Sequence, residues 1–192
     1  AIINYGSSFV GALTFSVTDS HWFNAVEAEV YAMSTFFTGI VVWLILLWSR
    51  KEGTKGNVRY IIVIAYMIGI ATGVHLLNLL TLPFLALIVY FKKRKYTLSS
   101  FIMLIPIPLI VYLIIYQGII KGLPNIAQNF GITSIIFIII IFIGLIYYCI
   151  KNKYFTSATI FTSFFLVIVG YSTYVSIFIR AQQAPFINEN DP

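Results

Sequence analysis

Uninterrupted apolar runs, separated by short polar gaps, occupy most of this chain. They fall at 2–17, 32–48, 60–74, 76–91, 98–116, 131–150 and 155–179, and the run at 131–150 carries no charge in twenty residues. About twenty apolar residues, rising roughly 1.5 Å each, cross a hydrocarbon core of about 30 Å. None of the runs has the period-two alternation of a membrane barrel. The pattern predicts an all-α, polytopic transmembrane protein.

Two places depart from simple spanning runs. Between the first two runs lies the polar stretch Thr18 to Tyr31. Trp22, Phe23, Val26 and Val30 recur there at helical spacing, with His21, Asn24, Ala28 and Tyr31 opposite. Thr18, Asp19 or Ser20 can cap the start. This predicts a short amphipathic helix over about 20–31, lying along the membrane interface with Trp22 at headgroup level. The second departure is 60–91, which has basic loops at both ends. Its thirty-two residues would make one helix of about 48 Å, with its ends on opposite sides. A hairpin of two short helices, turning near Gly73 to Asn78 inside the membrane, returns both ends to one side. Non-helical backbone at that depth must be buried in protein or line a wet cavity.

Composition agrees with the pattern. Hydrophobic residues make up 60% of the chain and charged ones 9%, whereas a soluble domain carries about 25% charged residues. Ten of the twelve Lys and Arg lie in three gaps: Arg50, Lys51, Lys55 and Arg59; Lys92 to Lys95; and Lys151 with Lys153. The positive-inside rule puts these loops in the cytoplasm. Asp19, Glu27, Glu29, Glu189 and Asp191 then fall outside, and only Glu52 inside. Topology and attraction to anionic lipid explain the net charge of +6, so no nucleic-acid partner is expected. The single cysteine, Cys149, permits no internal disulfide and reads as a packing residue. Pro106 and Pro108 predict a kink in the helix at 98–116, and 117–130 reads as an outer loop carrying Lys121. Tyr90, Tyr96, Tyr147, Tyr148 and Tyr154 read as interfacial belt.

Candidate chemistry gathers on the outer side. Glu29, Glu27 and Asp19 are the candidate catalytic carboxylates. Glu27 and Glu29 stand about 200° apart on a helix, so they do not form a close pair. Glu29 borders the apolar stripe, and poor solvation there suits a carboxylate to proton transfer. His75 and Asn78, three residues apart at the hairpin turn with Thr72 and Thr81 nearby, are candidate substrate-binding residues, as are Arg180 and His21. Arg180 closes the last apolar run on the outer side, where a guanidinium can hold a lipid phosphate by paired hydrogen bonds. Each has a plainer reading: Asp19 as a cap, the glutamates solvated or paired, His75 and Asn78 satisfying backbone at the break, Arg180 reaching to headgroups. Two histidines without HExxH spacing predict no metal site, and no P-loop, GxSxG or dinucleotide fingerprint is present. No cofactor is expected.

Three strings then carry a resemblance. FSVTDSHWFNAVEAEVYAMSTFFTGIVVWLILLW resembles the membrane core of the protein O-mannosyltransferase-like family of Bacteroidota, within the GT-C superfamily. IGIATGVHLLNLLTLPFLALIVYFKK looks like that family's short hairpin, and GYSTYVSIFIRAQQAPFINENDP resembles the stretch that leaves its membrane domain. The resemblance implies transfer of a sugar, with mannose expected, from a polyprenyl-phosphate donor to Ser or Thr of an exported protein. It also implies a bacterial inner-membrane protein with a periplasmic active face. The family's first outer loop, which bears an acidic motif, is expected upstream of Ala1, and a soluble region downstream, so 1–192 reads as part of a transmembrane domain.

The leading expectation is therefore an inverting, metal-independent glycosyltransferase core. Glu29 would take the acceptor's proton or orient it, Arg180 would stabilise the departing phosphate, and His75 and Asn78 would line the donor cavity. Its expected partners are the lipid-linked sugar, the exported acceptor and membrane lipids. Two alternatives stay open. A broken helix suits a transporter or lipid flippase, and the chain could equally be a non-catalytic subunit of a membrane complex.

Overall fold

The computed structural model describes residues 2–26 and 30–184. Every regular element among them is helical. Helices α1 (Ile2–Ser16), α2 (Asp19–Val26), α3 (Tyr31–Lys51) and α4 (Val58–Val74) come first. A 3₁₀ turn at Leu76–Leu80 leads into α5 (Thr81–Lys93). Then α6 (Leu98–Ile102), α7 (Pro106–Leu113), a π-helical stretch at Ile114–Gly122 and α8 (Leu123–Phe130) form one long interrupted rod. It is followed by α9 (Thr133–Lys151) and α10 (Phe155–Tyr171), then a 3₁₀ turn at Ser172–Tyr174 and α11 (Val175–Ala181). Five of these helical stretches are long and apolar enough to cross a membrane, and α4 is a shorter apolar helix.

The exposed surface identifies the solvent. Phe137, Ile140, Ile143 and Tyr147 of α9 are all more than half exposed, and α9 buries only Cys149. A helix apolar all round and uncovered is stable only where the surroundings are apolar too. The predicted all-α membrane architecture is what the chain adopts.

Helix α4 is the hub. It packs on α3 and α10, α5 closes against α3, and α7 leans on α5. The core joins Val41, Ile45 and Trp48 of α3 to Ile64 and Ile68 of α4, Leu79 of the turn, Ile115 of the π stretch and Val167 of α10. Two glycines let α4 and α10 cross at backbone contact. A Cβ on Gly170 would lie 2.5 Å from the Tyr66 carbonyl oxygen and 2.8 Å from the Ile70 nitrogen. A Cβ on Gly69 would run into the Val167 carbonyl oxygen. Small residues are what allow such approach between membrane helices.

The three basic loops share one end of the bundle, called here the basic end. Glu52 of the first loop meets Lys93 of the second at 3.8 Å, and Lys93 lies over the Trp48 ring at 5.7 Å.

Two expectations are corrected. Residues 117–130 are helical, not a loop. Gln117, Gly118, Gly122 and Pro124 look like loop residues, but a π turn absorbs the glycines, and Pro124 sits in the first turn of α8, where a missing N–H costs nothing. The turn comes at Gly131, whose φ of 78° suits glycine. Tyr90 does not face outward as a belt residue would. It is buried, and its hydroxyl lies 2.6 Å from Ser100 Oγ, tying α5 to α6. Tyr90→Phe is expected to cost about 1 kcal/mol, read as a lowered unfolding temperature in detergent. An unchanged temperature would deny that bond a stabilising part. The kink expected at the prolines is present as a break at 103–105, with Pro106 opening α7.

Candidate functional site

Helix α4 ends where the chain turns extended. His75 has φ −157° and ψ 130°, and its N–H still reaches Ala71 O at 2.9 Å. Its Nδ1 then accepts from the Leu77 N–H at 3.1 Å, capping the 3₁₀ turn. With Nδ1 accepting, the neutral ring carries its proton on Nε2, which is left as a donor. The ring is half-buried and lies 5.6 Å from that of Tyr31, the first residue of α3.

Asn78 holds this geometry. Its side-chain N–H groups donate to Ala71 O at 2.8 Å and His75 O at 3.0 Å. Its Oδ1 accepts from Ser34 Oγ at 3.0 Å and Thr38 Oγ1 at 3.1 Å. A carboxamide has two donors and two acceptor lone pairs, so none of its capacity remains for a ligand. Asn78 is buried, and its amide adds a second donor to two carbonyls at the break that already accept from the backbone N–H groups of His75 and Asn78. The geometry gives it a positioning task toward His75. Thr72 and Thr81 likewise bond to backbone, at Ile68 O and Asn78 O. Ser34 and Thr38 were missed from the sequence. Their signal was legible: Ser34 and Thr38, four residues apart, share one face of a mostly apolar helix.

The end of α10 abuts the same break. Tyr174 and Thr173 of its 3₁₀ turn are the nearest groups to Gly73, where a Cβ would lie 3.6 Å from Tyr174 Cβ. The Tyr171 and Tyr174 rings stack at 5.7 Å. Arg180 follows six residues on, about 9 Å further along a helix axis. It is exposed, and its Nη1 donates to Gln183 O at 3.2 Å.

Asp19 and His21 sit on α2, which packs on α3. Asp19 is the first helical residue rather than the cap. Thr18 holds the cap position, accepting through its backbone oxygen from Trp22 N–H at 2.9 Å, while its hydroxyl turns back to Phe15 O at 2.8 Å. A carboxylate in a first helical turn is favoured by the helix dipole. The His21 ring lies 4.6 Å from that of Phe15. Trp22, Phe23 and Val26 present an exposed apolar stripe, as expected of an interfacial helix. Glu27 and Glu29 lie outside the described residues.

His75 and Asn78 are thus brought together with Tyr31, Ser34 and Thr38, and the α10 end closes over the same break. The apolar grooves differ in place. One of about 520 Å³ starts at Leu79 and Leu80 beside the break and runs down α5 to Ala86 and Leu87, walled by α6 and α7. A larger one lies toward the basic end.

No match is found among curated proteins or among solved structures. The family model described as the protein O-mannosyl-transferase TMEM260 N-terminal domain matches residues 1–100, just over half of the chain. That span holds the hairpin break with its clasp, and Asp19 and His21, but not Arg180. The chain belongs to the protein O-mannosyl-transferase TMEM260 N-terminal domain family.

Proposed function

We propose that the chain is the membrane core of a GT-C glycosyltransferase that moves mannose from a polyprenyl-phosphate carrier to Ser or Thr of an exported protein. The observation that supports this best is the braced break at His75, in a chain of an O-mannosyltransferase family. Its Nε2–H has no protein partner among the described residues, and it sits at the end of α4 away from the basic loops. In this reading that end faces the bacterial periplasm and the basic end the cytoplasm.

The acceptor hydroxyl attacks the sugar's anomeric carbon as the bond to phosphate oxygen breaks. Its proton goes to a carboxylate, with Glu29 first in line and Glu27 and Asp19 as the other candidates. The phosphate leaves carrying negative charge, which the His75 Nε2–H and the Arg180 guanidinium stabilise. His21 contributes on the acceptor side. The groove beginning at Leu79 and Leu80 receives the first isoprenyl units, since its walls are almost wholly aliphatic and aromatic.

His75→Asn separates fold from function. Asparagine is a good helix cap, so the 3₁₀ turn and the unfolding temperature are expected to persist. The Nε2–H is lost, and transfer is expected to fall about a hundredfold. Transfer at the parental rate would remove His75 from the donor site. A transporter is the second reading. It is favoured by the interruption at Ser172–Tyr174 packing against the first break, and it predicts movement of the lipid-linked sugar across the membrane without transfer to protein.

A further inference from the structure

The larger cavity, of about 770 Å³, lies on the other side of the α5–α7 contact. That volume is in the range of small-molecule sites, roughly 300–1,000 Å³. It follows α5 from Leu82 to Lys93 and α10 from Val167 back to Thr159. The twelve residues Leu82 to Lys93 of helix α5 measure about 17 Å, close to half of a hydrocarbon core of about 30 Å. Its depth is that of one leaflet's acyl chains, measured from the basic end. Aliphatic side chains such as Ile64, Leu85 and Val111 wall it through that depth. Water gains too few partners in such a space, and an empty one forfeits dispersion contacts along its whole lining.

The charged groups collect at its mouth, while Ser163 of α10, whose buried Oγ has no hydrogen-bond partner among the described residues, lies partway down. Lys93 and Arg94 stand at the mouth beside Ser100, whose Oγ meets the Tyr90 hydroxyl. The neighbouring Lys92 and Lys95 add to the positive charge, and the nearby acid, Glu52, pairs with Lys93 alone. Arg94 is exposed, and its planar fork suits bidentate binding of phosphate. We propose that this cavity binds an anionic phospholipid of the leaflet at the basic end, one acyl chain between α5, α7 and α10 and the phosphate on Arg94 and Lys93. Cationic mouth, hydrocarbon walls and single-leaflet depth all fit that molecule. A polyprenyl phosphate entering from the His75 end would have its charge at the wrong end. The site is independent of glycosyl transfer.

The test uses the full polypeptide in nanodiscs of phosphatidylcholine, doped with a photoreactive probe whose diazirine sits on the acyl chain. Phosphatidylglycerol carrying the diazirine is expected to label cavity residues, Met103 and Phe164 among them, about tenfold more than the matching phosphatidylcholine probe. Arg94→Gln with Lys93→Gln is expected to remove that preference, and Arg94→Gln alone to reduce it. Lys151→Gln with Lys153→Gln, equally basic but away from the cavity, is expected to leave it intact. Equal labelling by the two lipids, absence of label inside the cavity, or equal loss in the Lys151 and Lys153 variant would each overturn the site.

Discussion

Gly170→Ala is expected to destabilise the bundle by about 3 kcal/mol, although it adds one methyl group. The new Cβ would meet backbone of α4, at the Tyr66 oxygen and the Ile70 nitrogen. Backbone has no alternative rotamer, so relief requires α4 and α10 to move apart. Core contacts between Ile64, Ile68 and Val167 loosen with them. Gly69→Ala strikes the same crossing from the other helix and is expected to behave alike. Because the two sites touch, the double variant is expected to cost less than the sum of the two. Gly144→Ala is the control. Nothing lies within 4 Å of its would-be Cβ, and alanine in a helix interior is favoured over glycine by about 0.5–1 kcal/mol. Unfolding temperature in detergent reads all four, and a Gly170→Ala protein as stable as the parent would show that the helices do not cross this closely.

Asn78→Leu carries the second large effect. Leucine keeps the bulk and removes all four hydrogen bonds. Ser34 and Thr38 lose their acceptor, and the carbonyls of Ala71 and His75 lose a donor each. Hydrogen bonds in membrane bundles are worth about 0.6 kcal/mol on average, and up to about 1.7, so the cost is about 2–4 kcal/mol. The break at His75 then has no brace, and transfer is expected to fall with stability. Asn78→Asp keeps the acceptor and loses the donors, and it places a carboxylate where the backbone carbonyls of Ala71 and His75 already lie. It is expected to be no better than leucine. Rescue of transfer by Asn78→Gln, together with failure of Asn78→Asp, would mark the carboxamide's donors as what matters. Full activity in Asn78→Leu would contradict the bracing role.

These two sites show where sequence reading stops. Five membrane-length helices were legible because a membrane helix must be apolar over its whole length, and the break in 60–91 because basic residues flank both of its ends. His75 and Asn78 stood out as polar residues where polarity is costly. Their division of labour did not, since it depends on Ser34 and Thr38 arriving from another helix. Gly69 and Gly170 are a hundred residues apart in sequence, and nothing local distinguishes them from Gly39 or Gly144, which meet no neighbour. Residues 117–130 misled because glycine, glutamine, lysine and proline are loop residues in water. Within a helical rod they are carried by a π turn and a proline at a helix start. Tyr90 misled because a tyrosine beside lysines has the signature of the interface, while its hydroxyl in fact joins two helices.

The most direct test of the central claim is sugar transfer by the full polypeptide in membranes. Labelled polyprenyl-phosphate mannose is supplied, and protein-bound label is sought by release under β-elimination. Label on Ser or Thr is expected, lost in Glu29→Gln and in His75→Asn while both variants stay folded. Intact donor and unlabelled protein, in membranes where the polypeptide is folded and acceptor is present, would contradict it.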